Sequence, residues 1–172
     1  MRFWPAILTA MPPEARSEAK GVGAGAELHY RALERLYASA PINETFNSRL
    51  EIPGEGRSRI TFQIDESVFH AAGAAHGTIY FKMLDDAAFY AANSRTTDRF
   101  LLTTSFNLHF TKPVRSGEVV AEGLWISGKR RVFVAESRLI DAEGEEIGRG
   151  TGTFMRSRIA LSGLPGYSAG AE

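Results

Sequence analysis

Apolar positions along the chain follow two different periods. From Ala26 to Ala40, Leu28, Ala32, Leu33, Leu36 and Tyr37 recur at helical spacing, with Arg31, Glu34 and Arg35 on other faces, and Pro41 ends the pattern. This predicts a helix packed on the rest of the domain. Phe46 to Ile52 and Arg57 to Ile64 alternate apolar with polar residues instead, and Pro53 to Gly56 supplies turn chemistry between them, so the pair reads as a hairpin. Four more alternating runs follow at Leu101–Phe110, Glu118–Ser127, Arg131–Ile140 and Glu146–Met155. Their turns fall at Pro113 with Ser116-Gly117, at Gly128-Lys129 and at Asp141–Gly144.

Between the second and third runs lies the exception, GTIYFKMLDDAAFYAANS from Gly77 to Ser94. It is helical in spacing and apolar nearly all round, broken only by Lys82, Asp85, Asp86 and Asn93. A helix of that kind is normally buried. The elements together predict an α+β domain, a curved antiparallel sheet wrapped around one long central helix with an extra N-terminal helix. Residues 1–25, with Pro5, Pro12, Pro13 and a GVGAG run, read as a flexible tail; residues 26–158 form the domain; residues 159–172, rich in Gly, Ser and Pro, read as a loose C-terminal tail.

Composition narrows the function. Twenty basic and 20 acidic residues give a formal charge of +0, which disfavours nucleic acid as a partner. The absence of cysteine excludes disulfides and thiolate metal sites and makes the cytoplasm the natural compartment. No apolar run reaches the roughly 18 residues of a membrane span. The opening MRFWPAILTAM is interrupted by Pro5 and too short for a signal peptide.

The chemistry points to the central helix. Two carboxylates in the middle of a buried helix are costly unless they are partnered or placed at an opening. Gly77 and Thr78 stand where the free N–H groups of the first turn favour negative charge. At about 1.5 Å per residue, Gly77 and the acids lie about 12 to 14 Å apart along the axis. One helix therefore cannot bring both to one reacting atom, and a second copy lying antiparallel beside it would. Adjacent helix positions point about 100° apart, so only one acid can face such a site, and pattern does not say which.

His70, Gly73, His76-Gly77, the acid nine residues after His76 and the AAFYAANS that follows resemble the signature of the hot-dog fold acyl-CoA thioesterases, of the phenylacetate-pathway type. LHFTKPVRSGE at Leu108 to Glu118 resembles that family's next strand and turn, and the resemblance covers about residues 45 to 157. It implies a homodimer or dimer of dimers with sites between subunits, acyl-CoA as substrate, and no metal or redox cofactor. Gly77 would polarise the thioester carbonyl through its amide. Asp85 of the other subunit would act as general base or nucleophile, leaving Asp86 to pair with Lys82. Thr103 matches a hydroxyl that helps hold the water, and His76 supports the loop.

Two positions depart from the family pattern. Thr78 replaces a second glycine, and His70 stands where Asn or Gln is usual. Phe81, Phe89 and Tyr90 are expected to line the acyl pocket. Arg130 and Arg131, with Lys112, Arg115 and Lys129 at other turns, are expected to meet the phosphates of coenzyme A, whereas His29 and His109 show no metal-binding pattern. Two other readings stay open: a non-catalytic module that binds or senses acyl-CoA, and, more weakly, an enoyl-CoA hydratase of the same fold.

Overall fold

The computed structural model describes residues 23–168. Two helices, α1 (Ala24–Ala38) and α2 (Pro41–Phe46), precede the hairpin of β1 (Arg49–Gly54) and β2 (Arg57–Ile64). The central helix α3 (Gly77–Asn93) follows, and then β3 (Arg99–Phe110), β4 (Gly117–Ser127), β5 (Val132–Ile140) and β6 (Glu146–Ala160), with α4 (Pro165–Ser168) last. The six strands form one antiparallel sheet in the order β1-β2-β4-β5-β6-β3, and β2, β4, β5, β6 and β3 all pack on α3. Among the described residues no helix is long and apolar enough to cross a membrane.

Small residues let helix and sheet approach closely. Ser58, Gly123 and Ser137 face one another across β2, β4 and β5. The Ser58 hydroxyl donates to the Ala87 carbonyl at 2.5 Å and the Ser137 hydroxyl to that of Leu84 at 2.7 Å. A Cβ on Gly123 would come within 2.1 Å of the Ala87 oxygen, so only glycine fits there. Leu84, Ala87, Ala88 and Met83 are completely buried as a result. The Asp85–Asp86 side of the helix, rotated by about 100° or more from these contacts, turns away from β2, β4 and β5.

Three expectations are corrected. Pro41 ends α1 but also begins α2: proline suits a first helical position, where its missing N–H would be unpaired in any case. The helix closes at Asn47, in the left-handed region at φ 40°, so β1 starts at Arg49 and not at Phe46. The third concerns the C-terminal segment, which is not loose as far as Ser168. Strand β6 runs on to Ala160, Leu161 is fully buried, and Tyr167 reaches back so that its hydroxyl lies 2.8 Å from His29 Nδ1. His29 is thereby a buried structural residue, its Nε2 lying 3.3 Å from the carbonyl oxygen of Asn93. The tail expected at residues 1–25 lies, up to residue 22, outside the described residues.

Candidate active site

The loop entering α3 is held at both ends. His70 N–H donates to the Ala74 carbonyl and Gly73 N–H to that of His70, each at 2.9 Å, and Gly73 takes φ 76°, which favours glycine. Ala75 N–H donates to Val114 and His76 N–H to Val68, tying the loop to its neighbours. His76 is the N-cap: its Nδ1 accepts the Thr78 N–H at 3.2 Å, and the Thr78 hydroxyl lies 2.9 Å from the same nitrogen. Histidine thus does the work that a shorter polar side chain usually does at a helix start. Thr78 spends its hydroxyl on that cap.

Gly77 N–H has no partner among the described residues, as expected of a first-turn amide. The Phe110 ring lies over it, so near that a Cβ at this position would sit 3.2 Å from the ring. His70 Nδ1 accepts the Ala72 N–H at 3.0 Å. In the neutral ring the proton is then on Nε2, which stays available as a donor.

Asp85 and Asp86 are separated by their surroundings. The Thr103 hydroxyl, reaching from β3, donates to Asp85 Oδ1 at 3.1 Å and lies 3.3 Å from Oδ2. Burial pushes the Asp85 carboxyl up to about 6; the Thr103 bond opposes the shift, neighbouring Asp86 adds to it, and Lys82 opposes it more weakly. Asp86 instead pairs with Lys82, one turn earlier. Its carboxyl is raised by burial and held down by the ammonium. That ammonium lies 5.3 Å from the centre of the Tyr37 ring and 5.5 Å from that of Phe46, under the N-terminal helices. Asp85 is accordingly the acid at an opening and Asp86 the acid in a structural pair.

The remaining expected residues divide. Phe81 is 43% exposed, with its ring 5.8 Å from that of Phe106 on β3. Phe89 is buried between the rings of Tyr90, Phe100 and Phe154, because its position on α3 turns it toward β3 and β6. Arg130 and Arg131 are exposed in the β4–β5 turn. Strand β4 begins opposite Ile64, next to the loop that enters α3, and runs away from it. Within one chain the two arginines therefore stand at the other end of the sheet from Gly77. Gly77 and Asp85 also remain about 12 Å apart along the helix.

A cleft of about 390 Å³ opens between α2 and α3 beside Asp85. Its walls include Ile42, Asn43 and Phe46 as well as Phe81, Lys82 and Tyr90. Residues of α2 were not among those expected from sequence; the signal that could have found them is the Ala-Pro step into PINETF, a first-turn proline followed by a polar stretch. A larger depression, of about 500 Å³ on the outer face of the sheet, is lined by charged residues of the strands and lies away from Asp85.

Comparison with known proteins places these features in context. The profile of the thioesterase superfamily matches residues 72–147, a span that holds Gly77, Asp85 and Thr103. A candidate esterase of Saccharolobus solfataricus is 26% identical over 101 residues, 59% of this chain and 67% of that protein. The transcription factor FapR of Shouchella clausii is 30% identical over 118 residues, 68% of this chain but only 56% of the factor's length. Among solved structures, the PaaI protein of the Escherichia coli phenylacetic acid degradation operon superposes with a TM-score of 0.69 at 15% identity, covering 77% of this chain and 98% of that one.

Proposed function

We propose that this chain, whose residues 72–147 match the thioesterase superfamily and which has the hot-dog fold, hydrolyses an acyl-CoA thioester to a carboxylic acid and free coenzyme A, in a site shared by two copies. One observation carries this reading: a partly desolvated carboxylate, Asp85, is held by a hydroxyl of the sheet's open edge strand while the free amide of the same helix lies too far away to serve it. A second copy with α3 antiparallel to the first supplies the missing amide. Strand β3 has β6 on one side only and is exposed along most of its length, so it offers the edge on which two sheets join.

In the proposed reaction the thioester carbonyl oxygen accepts hydrogen bonds from Gly77 N–H and His70 Nε2–H of one subunit. Asp85 of the other subunit, ionised above pH 6, takes a proton from a water that Thr103 helps to orient. The water oxygen bonds to the carbonyl carbon. The tetrahedral intermediate then collapses, the C–S bond breaks, and the proton passes from Asp85 to the leaving sulfur. In the antiparallel pair, Arg130 and Arg131 of one chain stand toward the end of α3 where the other chain's Gly77 lies, and there they meet the phosphates of coenzyme A.

The test is release of free thiol from acyl-CoA by the wild type and by Asp85→Asn. Equal rates in the two proteins would remove Asp85 from the chemistry. A second reading is favoured by the relative that is a transcription factor: the domain binds acyl-CoA as a signal without cleaving it. Tight binding by the wild type with no thiol released would select that reading.

A further inference from the structure

Lys82 lines the cleft beside Asp85 and takes no part in the proposed reaction. Its side chain is 11% exposed, and its Nζ lies over the rings of Tyr37, at 5.3 Å, and Phe46, at 5.5 Å. Asp86 is its one carboxylate partner among the described residues. Each half of the pair sustains the other, since burial raises the Asp86 carboxyl and the ammonium holds it down. The other titratable groups on the cleft are Asp85, Tyr37 and Tyr90. Burial pushes both tyrosines up, so they stay neutral and supply no counter-charge.

Without Asp86 the chemistry of Lys82 changes. A buried lysine that has no counter-charge is driven to the neutral amine, because desolvation penalises the ammonium. A neutral amine in an apolar site is a nucleophile, and a thioester is an electrophile that suits it. Lys82 stands three residues before Asp85 on α3, and such positions are neighbours on one side of a helix, with Cβ atoms about 5–6 Å apart. Its ammonium is near enough to act on the Asp85 carboxyl, and its four-carbon stem is flexible. A thioester held at Asp85 is therefore within the sweep of the Lys82 amine. The Nζ lone pair would bond to the carbonyl carbon, the C–S bond would break, and the proton lost from nitrogen would pass to the leaving sulfur. The products are an amide on Lys82 and free coenzyme A. An amide is far more resistant to hydrolysis than a thioester, and the acyl group would then block the cleft.

We propose that Lys82 is a self-acylation site and that Asp86 guards it, holding the amine as an ammonium so that acyl groups pass to water at Asp85 and not to nitrogen. The assignment rests on the reading that a thioester is bound at Asp85. It gives the two adjacent acids of α3 separate tasks: Asp85 acts on the water, and Asp86 restrains the nucleophile that competes with it.

The test is mass spectrometry of the full chain after incubation with acetyl-CoA or octanoyl-CoA, with peptide mapping to locate any acyl group. Exposed Lys129 reports spontaneous acylation, and in the wild type Lys82 should be modified more slowly than Lys129. Asp86→Asn should gain one acyl group at Lys82 about 100-fold faster than the wild type, the order of the rise in free amine when a buried lysine loses its charge. Lys129 should be unaffected, and thiol release should decline as Lys82 is blocked. Asp86→Ala is the second variant and should behave in the same way, and melting curves establish that both are folded. Asp86→Glu keeps a carboxylate and should restore protection, while Lys82→Met combined with Asp86→Asn should abolish both the uptake and the decline. Lys82 no more acylated in the folded variants than in the wild type would overturn the proposal, and so would a wild-type Lys82 that reacts as fast as Lys129. Uptake at Lys82 in the variants, with no steady thiol release by the wild type, would support the site and sink only the hydrolytic reading. Steady release by the wild type with Lys82 untouched in both variants would sink only the site.

Discussion

The two edges of the sheet are finished in opposite ways. On β1 the edge groups of Ile52 are taken by α1: its N–H donates to Glu34 Oε1 at 2.7 Å and its carbonyl accepts from Arg31 Nη2 at 3.0 Å. Arg31 and Glu34 are themselves paired at 2.6 Å, and Pro53 stands next in the strand. On β3, twice as long at 12 residues against 6, no helix among the described residues covers the edge. Thr103, Thr104, Ser105, Asn107, His109 and Phe110 are all exposed. A bare edge strand of that length is a template for another strand, and proteins that do not want one block it. Here one edge is blocked by a dedicated ion pair and the other is left open on the strand that holds Asp85. On the proposed reading, association and chemistry fall on the same strand.

The largest expected effect comes from the group that the open edge holds. Asp85→Asn should lower thiol release by about 10³-fold, within the usual range for loss of a general base, and should leave association untouched. The same substitution should stabilise the fold. A carboxyl raised to about 6 in the folded chain, above its unfolded value, binds protons more tightly when folded. Between the two values the native state holds the extra proton, so the penalty is absent at low pH and fully present above pH 6. Discounted for partial exposure, removing it at pH 7 is worth about 1–2 kcal/mol, read as a higher midpoint in urea. In the wild type, kcat should fall as the pH drops through 6, as Asp85 becomes protonated. A flat profile across that range would mean that another group is the base.

A charge placed on the open strand tests whether the edge is the interface. Asn107→Lys sets like charges near one another where two copies of β3 run antiparallel with Asn107 close to the two-fold axis, which costs several kcal/mol across an interface. Association should weaken by about 100-fold in sedimentation, and thiol release should become dependent on protein concentration. If the variant associates as well as the wild type, the copies meet elsewhere.

How much of this was legible follows from the range of each interaction. The period of α3 and of the six strands is local, and the helix falls where the pattern puts it, as does the hairpin apart from the start of β1, at Arg49 and not Phe46. So does the Lys82–Asp86 pair, a contact one helical turn apart. Pattern could not separate Asp85 from Asp86, because Thr103 is 18 residues away and the Tyr37 and Phe46 rings arrive from two other helices, α1 and α2. The surroundings of Phe89 were hidden for the same reason, its burial depending on Phe100 and Phe154. Six residues of α2 are too few to show a period, and Leu161 and Tyr167 are diluted among Gly, Ser and Pro. The order of the strands, and with it the identity of the two edges, leaves no trace in any one stretch.

The smallest effect should come from the blocked edge, and it is the one that separates a seal from an ordinary surface pair. Most exposed ion pairs contribute little, so if Arg31 and Glu34 were only that, replacing Glu34 would be nearly silent. As a seal, Glu34 satisfies the half-buried Ile52 N–H, and Glu34→Ala leaves that donor without a partner at a cost of about 1–2 kcal/mol in a urea melt. It also frees Arg31 from one of its two carboxylates, Glu27 at 3.1 Å being the other. The bared edge should then associate slowly at high protein concentration, in a way that Asn107→Lys on the opposite strand does not suppress. Glu34→Gln keeps an oxygen acceptor and should recover most of the stability, which a purely ionic contribution would not allow.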